Sequence, residues 1–294
     1  MTSQHSNLTT TEIEAIAAKL DHARANNYQI PPLTKSRPEL TQQDGYQIAS
    51  AIRSLRCEKD KDVVLGRKIG FTNKAIWPEF NVYRSNWSYM YSSSIVDLTT
   101  ESKAADGTVV CDLTHCSNLE PKIEPEIVLG LKDRITSGMS DEQLLGCVDW
   151  VAHGFEIVCS IFPGWKFTAA DTTAAFALHS RLLLGPKQHL PLTAAASSAD
   201  LFSQLQDFGI SLFQNDKNVD TGGGSNVLGS PIKALRHLAE LLEHDDTNKP
   251  LGSHEMVTTG TLTRALSIEI GDTWRTEIEG IAIPGLEVRF ETTK

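Results

Sequence analysis

The chain has 294 residues, enough for one large domain or a main domain with a smaller appendage. Hydrophobic residues at 40% and charged residues at 22% are ordinary for a globular protein, and no run of about 18 apolar residues is present to span a membrane. A formal net charge of −10 argues against nucleic acid and an anionic membrane surface as partners.

Cys57, Cys111, Cys116, Cys147 and Cys159 form a scattered set with no Cys-x-x-Cys pair. That suits free thiols in a reducing compartment better than disulfides or a zinc site. Residues 1–7 lack the basic and apolar regions of a signal peptide and the arginines of a transit peptide, so a cytoplasmic protein is expected.

Thr9-Thr10-Thr11 before Glu12 and Glu14 reads as an N-cap with first-turn acids. Ile13, Ile16, Ala17, Leu20 and Ala23 then recur at helical spacing until Asn26-Asn27. After the extended Pro31-Pro32 connector, Thr41 and Asp44 form a capping-box start to a second helix bearing Tyr46, Ala49, Ile52 and Leu55. Both helices read as a cap over something else. Residues 63–70 are a short apolar run with glycines bracketing Arg67-Lys68. Trp77, Tyr83, Trp87, Tyr89 and Tyr91 follow in a region read as loop-rich, where they serve packing. Val109-Val110 opens a mainly β region. Ser140 caps another helix, and residues 148–162 and 169–185 are long apolar runs. Gly222-Gly223-Gly224 reads as a flexible loop, and Ser230-Pro231 opens a helix with serine as N-cap. Two alternating stretches follow, Leu266 to Ile270 and Ile281 to Ile283, with turns at Gly271-Asp272 and Pro284-Gly285.

Residues 120–130 are the chemical centre. Ile123, Pro125, Ile127 and Leu129 alternate with Glu124, Glu126 and Val128, as an extended strand requires. Carboxylates two residues apart on one strand face sit roughly 6.5–7 Å apart at Cα. They can converge on one hard cation, and two lone anions share a dry pocket poorly. Pro125 has no amide donor, so an edge or a bulge is expected there. Most Glu-x-Glu pairs on strands are a solvated face, because Glu is rarely buried; here Ile127-Val128-Leu129 carries the strand into a core. Glu156 lies in the apolar stretch 150–159, where a charged residue is paired or a ligand. Three carboxylates from two strands, leaving positions for water and substrate oxygens, make an Mg²⁺ or Mn²⁺ site.

These features occur in a distinctive order. Lys68-Ile69-Gly70 with Thr72, Glu124-Pro125-Glu126 and the Phe155 to Ser160 segment are followed by Trp165-Lys166 and Asp171-Thr172. The Val227 to Pro231 helix start and Thr259-Gly260-Thr261 complete the set. From about Leu20 to Phe290 the chain resembles the 2-keto-4-pentenoate hydratase / 4-oxalocrotonate decarboxylase branch of the fumarylacetoacetate hydrolase superfamily. The resemblance implies an α+β fold, a mixed β-roll core of the fumarylacetoacetate hydrolase type with N-terminal helices. Residues 1–95 are then an N-terminal helical cap and active-site loop segment, and residues 96–294 a β-rich metal-binding catalytic core. It also implies a divalent cofactor (Mg²⁺ or Mn²⁺), a small 2-oxo acid substrate, a homo-oligomer and a place in aromatic catabolism. By position Glu124, Glu126 and Glu156 match the metal ligands and Lys68 the active-site lysine. Gly260 and Thr261 match a loop close to the substrate, and Gly70 and Thr72 a segment that closes over its pyruvoyl end.

The chemistry agrees. A 2-oxo acid chelating the ion has its keto oxygen polarised, and the same ion stabilises the dienolate. Lys68, near a cation and shielded from water, is expected to have a lowered pKa and to move the proton; a salt bridge to a glutamate is the simpler reading, and both can hold. His153 reads as a packed group beside the metal, and His179 and Arg181 as candidates for the substrate's far end. One stretch departs from the family. Its usual Ala-Asp-Asn-Ala-Ser reads Ala174-Ala175-Phe176-Ala177-Leu178 here, so an acid and an amide expected beside the substrate are replaced by Ala175 and Phe176, and the pocket is expected to be more apolar. The resulting reading is a hydro-lyase adding water to a 2-hydroxydienoate. Decarboxylation of a 4-oxalocrotonate-like 2-oxo diacid is the alternative, and C–C hydrolysis of an acylpyruvate ranks lower. A non-catalytic metabolite-binding relative is the reading from another class.

Overall fold

Capping chemistry sets where the N-terminal helices begin. Thr9 accepts from the Glu12 amide while the Glu12 carboxylate returns to Thr9, opening α1 (Thr10–Ala25). Thr41 and Asp44 repeat the arrangement for α2 (Gln42–Leu55). The structure, a computed structural model, describes residues 8–192 and 198–292. The polar start before Leu8 lies outside the described residues.

The chain continues through β1 (Val64–Gly70), α3 (Trp77–Phe80), β2 (Asn86–Tyr91), β3 (Ile95–Asp97) and β4 (Val109–Asp112). The long strand β5 (Lys122–Leu131), α4 (Asp141–Gly146) and β6 (Val148–Val158) follow, then α5 (Ala169–Ala174), β7 (His179–Leu184) and β8 (Gln188–His189). The remainder is α6 (Ser198–Asp207), β9 (Gly209–Gln214), β10 (Lys217–Gly223), α7 (Pro231–Glu243), β11 (Met256–Thr258), β12 (Leu266–Ser267), β13 (Thr273–Glu279) and β14 (Glu287–Glu291).

Two mixed sheets result. The larger runs β2-β1-β11-β5-β6-β7-β3, with β12 on β5 and β8 on β6; the smaller runs β10-β9-β13-β14-β4. Residues 86–91, read as loop, are a strand whose Trp87, Tyr89 and Tyr91 are buried, with Trp87 stacked on Tyr46. The expected glycine loop also differs: Gly222 and Gly223 end β10, and a Cβ on Gly222 would lie 1.8 Å from the Leu262 carbonyl oxygen. Those glycines permit close approach of two backbones.

Pro125 lies in the middle of the larger sheet, at neither an edge nor a bulge. Its partner on β6 is Phe155, and the irregularity in this pair falls between Gly130 and Leu131. Beyond β5, β11 covers residues 128–130 and β12 covers residues 122–123. Pro125 falls in the gap between them, where its carbonyl accepts the Leu262 amide, 2.8 Å away. An antiparallel residue aims its nitrogen and carbonyl to the same side, so the missing donor removes no ladder bond.

Ile127 and Leu129 join α7 through Leu235 and Leu238 in a large core, while Val128, on the other face, packs with Met90, Ala152, Leu182 and Leu184. The face bearing Glu124 and Glu126 is therefore the one that ends in this smaller cluster.

Candidate active site

The register of β5 against β6 pairs Glu124 with Glu156 and sets Gly154, which has no side chain, opposite Glu126. Alternation then brings Glu124, Glu126 and Glu156 out on one face, with an oxygen from each lying within 4.8 Å of the others. Glu126 and Glu156 are fully buried; the Glu124 side chain, 12% exposed, opens into a cleft. Lys68 reaches in from β1, its Nζ 3.2 Å from Glu156 Oε2 and 3.9 Å from Glu124 Oε2.

One ammonium does not balance three carboxylates in a dry pocket. Burial, with repulsion from Glu156, pushes Glu124 up to about 7 even though Lys68 opposes it. Burial and both neighbouring carboxylates push Glu126 well above the usual range. At Glu156 burial also pushes upward, but Lys68 and then His179 outweigh it and hold the group at about 2. For Lys68 itself burial pushes downward, and Glu156, Glu124 and Glu126 more than reverse it. The upward direction belongs to the site without an ion, where the ion pairs with Glu156 and Glu124 describe the contacts of the amine.

Glu126 Oε1 and Glu156 Oε2 are buried and make no hydrogen bond; the approach of Lys68 to the latter is an ion pair outside hydrogen-bond geometry. Hard oxygens left unpartnered around one point fit Mg²⁺ or Mn²⁺, whose charge would favour ionisation of all three acids and offset what Lys68 does not. Ligand oxygens about 2.1 Å from such an ion are at most about 4.2 Å apart, so a small inward movement closes the cluster.

Neighbouring groups aim the carboxylates. The Gly260 amide donates to Glu126 Oε2 at 2.8 Å, in a left-handed backbone (φ +97°) that a Cβ would drive to 1.8 Å from Thr72 Oγ1. His179 Nδ1 lies 2.7 Å from Glu156 Oε1 and its Nε2 lies 2.9 Å from Ser94 Oγ. Burial lowers its pKa against the pull of Glu156, so it is a neutral ring donating through Nδ1. His179 thus stands behind a carboxylate, and Arg181 bonds the Asp112 carbonyl; both line the adjoining cavity and not the cleft over the carboxylates. No sequence signal points to the Glu156–His179 contact, which needs the β6–β7 register as well as Ser94. His153 is not part of the cluster. Three residues from Glu156 on a strand, it faces the opposite side, donates to the Glu126 carbonyl and accepts from Thr276.

Lys68, Gly70, Thr72, Glu124, Gly260 and Thr261 all line the cleft. Its free volume, about 20 Å³, admits roughly one water molecule. Phe80 packs against Phe71, Trp165 and Phe167 at 6.0–6.1 Å over it, so a larger ligand enters only as this rim yields. Ala175 and Phe176 do not face the cleft. They line a separate cavity, where Arg24 and Arg56 lie over the Phe176 ring, and Ala177 and Leu178 line the cleft instead. Phe176, Ala177 and Leu178 all have positive φ, and Arg24 braces the turn through the His179 and Ser180 carbonyls.

An α+β fold whose mixed sheet presents three converging carboxylates and a buried lysine defines a divalent-metal enzyme of the fumarylacetoacetate hydrolase class. No protein-family model matches the chain. The 2-hydroxyhexa-2,4-dienoate hydratase of Comamonas testosteroni is 30% identical over 270 residues, covering 92% of this chain and 94% of that protein. The structure of 4-oxalocrotonate decarboxylase from Pseudomonas putida G7, complexed with magnesium and adipate, matches with a TM-score of 0.82 and 25% identity over 97% of this chain and 100% of that one. Fumarylpyruvate hydrolase from Pseudomonas aeruginosa, in complex with Mn²⁺ and pyruvate, shares the fold at a TM-score of 0.55 and 16% identity, over 79% of this chain and 91% of that one. The chain belongs to the 2-keto-4-pentenoate hydratase / 4-oxalocrotonate decarboxylase family.

Proposed function

We propose that this chain is a divalent-metal-dependent lyase that adds water to a 2-hydroxy-2,4-dienoate, giving a 4-hydroxy-2-oxo acid. The observation that carries this reading is the convergence of Glu124, Glu126 and Glu156 beside the Lys68 ammonium at the base of one cleft. The three carboxylates would hold Mg²⁺ or Mn²⁺, which when bound polarises the substrate's C2 oxygen and takes up negative charge there. Lys68 would carry a proton from Nζ to C5, and the proton given up by the C2 hydroxyl would restore the ammonium. Water then supplies oxygen to C4 and hydrogen to C3, which balances the addition. Gly70, Thr72, Gly260 and Thr261 shape the wall beside the acid. The Thr72 and Thr261 hydroxyls donate to the Thr259 and Thr263 carbonyls, so they meet a ligand as acceptors and methyl groups.

The test is an ultraviolet assay of 2-hydroxydienoates with and without Mg²⁺, with CO₂ release measured in parallel. Mg²⁺-dependent loss of dienoate absorbance without CO₂ is expected. Absorbance loss with CO₂ would assign decarboxylation, and pyruvate with a free acid would assign hydrolysis. No turnover with either metal would overturn the reading.

A further inference from the structure

The cavity behind the Phe176–Leu178 turn has a free volume of about 180 Å³ and is lined by arginines from three parts of the chain. Arg24 comes from the end of α1, Arg56 from just after α2 and Arg181 from β7, and no Asp or Glu is among the lining residues. Arg56 is compensated, by Asp21 at 2.7 Å and Asp62 at 3.8 Å. Arg24 and Arg181 are not. Among the described residues neither forms an ion pair, and their hydrogen bonds go to the His179, Ser180 and Asp112 carbonyls. Those bonds use part of each guanidinium fork and leave further N–H groups over. Burial, with repulsion from Arg56, lowers the pKa of Arg24 to about 10. A guanidinium withdrawn from water without a counter-charge is costly, and an anion beside it offsets that cost. The acid usual in the family at position 175 would have supplied one; Ala175 stands there and lines this cavity.

We propose that this cavity binds one small dianionic oxyanion of the phosphate class, held by Arg24 and Arg181 and separate from the catalytic ion. Two uncompensated positive charges match a dianion, and planar guanidinium forks donate paired hydrogen bonds to phosphate oxygens. The Phe176 ring holds Arg24 at 4.7 Å and Arg56 at 5.1 Å from its centre, so two of the cations are in place before the ligand arrives. The volume is small beside the roughly 300–1,000 Å³ of sites for larger ligands, so the occupant is a compact ion and not a nucleotide. Bound there, the ion ties α1 to β7. The turn divides this site from the carboxylate cleft, which Ala177 and Leu178 line from the other side.

The test is calorimetric titration of inorganic phosphate into the Mg²⁺-loaded full chain, in a buffer free of other oxyanions. One ion per chain is expected, with a Kd of about 1 mM or tighter and at least about tenfold tighter than acetate at the same ionic strength. Arg181→Met, which leaves the three glutamates untouched, is expected to weaken phosphate binding at least about tenfold, and Arg181→Lys to recover part of that loss. Ala175→Asp places a carboxylate in the cavity, and is expected to abolish phosphate binding while raising the melting temperature in phosphate-free buffer. Binding unchanged in the folded Arg181→Met and Ala175→Asp variants would put the phosphate on the catalytic metal and overturn the proposal. Acetate binding as tightly as phosphate, or no binding up to about 10 mM phosphate, would overturn it as well.

Discussion

Glu156 and His179 show how much one contact decides at the scale of a residue. The carboxylate is held at about 2 although burial alone would push it the other way, because Lys68 and His179 both face it. Removing the ring as His179→Ala frees Glu156 Oε1 to rotate away from the cluster, and metal affinity is expected to fall about 10- to 100-fold. His179→Gln, which keeps a donor, is expected to recover part of that loss; equal losses in both variants, tracking thermal stability, would show a packing role only. The three acids are legible from sequence because period-two alternation and an apolar setting are local properties. The role of His179 is not, since its partner is fixed by strand register and by Ser94.

At the scale of elements, caps are the most legible features: Thr9, Thr41, Ser140 and Ser230 all begin helices where the spacing puts them. The place of Pro125 is not legible, because a proline tolerated inside a sheet depends on a gap between two other strands that local sequence does not reveal. Residues 169–185, one apolar run in sequence, fold as helix, left-handed turn and strand. Gly260 joins its loop to the site. Gly260→Ala combines a disfavoured φ with a clash on Thr72 and is expected to cost about 3 kcal/mol or more of stability. It is also expected to weaken metal binding through the Glu126 bond, by chemical denaturation and metal titration respectively. Thr72→Ala in the same chain relieves the clash and not the φ, so recovery is expected to be partial; full recovery would show that φ is unimportant.

At the scale of the whole molecule, the N-terminal helices are tied to the catalytic face by charge. Arg24 braces the turn beside the cleft, and Arg56, at the end of α2, pairs with Asp21 and approaches Asp62 at 3.8 Å. Partial burial pushes the Asp62 carboxyl up, but the Ser93 and Ser92 hydroxyls, the Ser93 amide and Arg56 outweigh it and lower it below its usual 3.8. A depressed folded-state pKa contributes stability that is present above the unfolded value and lost as pH falls through the folded one. Asp62→Asn is therefore expected to lower the melting temperature at neutral pH and to shrink that deficit below about pH 4, by calorimetry across pH 2.5–7. A pH-independent difference would contradict this. Among the described residues no helix is long and apolar enough to cross a membrane.

Mn²⁺ titration followed by electron paramagnetic resonance, on the wild-type chain and on Glu124→Gln, Glu126→Gln and Glu156→Gln, tests the account most directly. One ion per wild-type chain is expected, with affinity at least about 100-fold weaker in each folded variant. A wild-type chain that binds no ion, or three variants that bind it as tightly as wild type, would contradict the account.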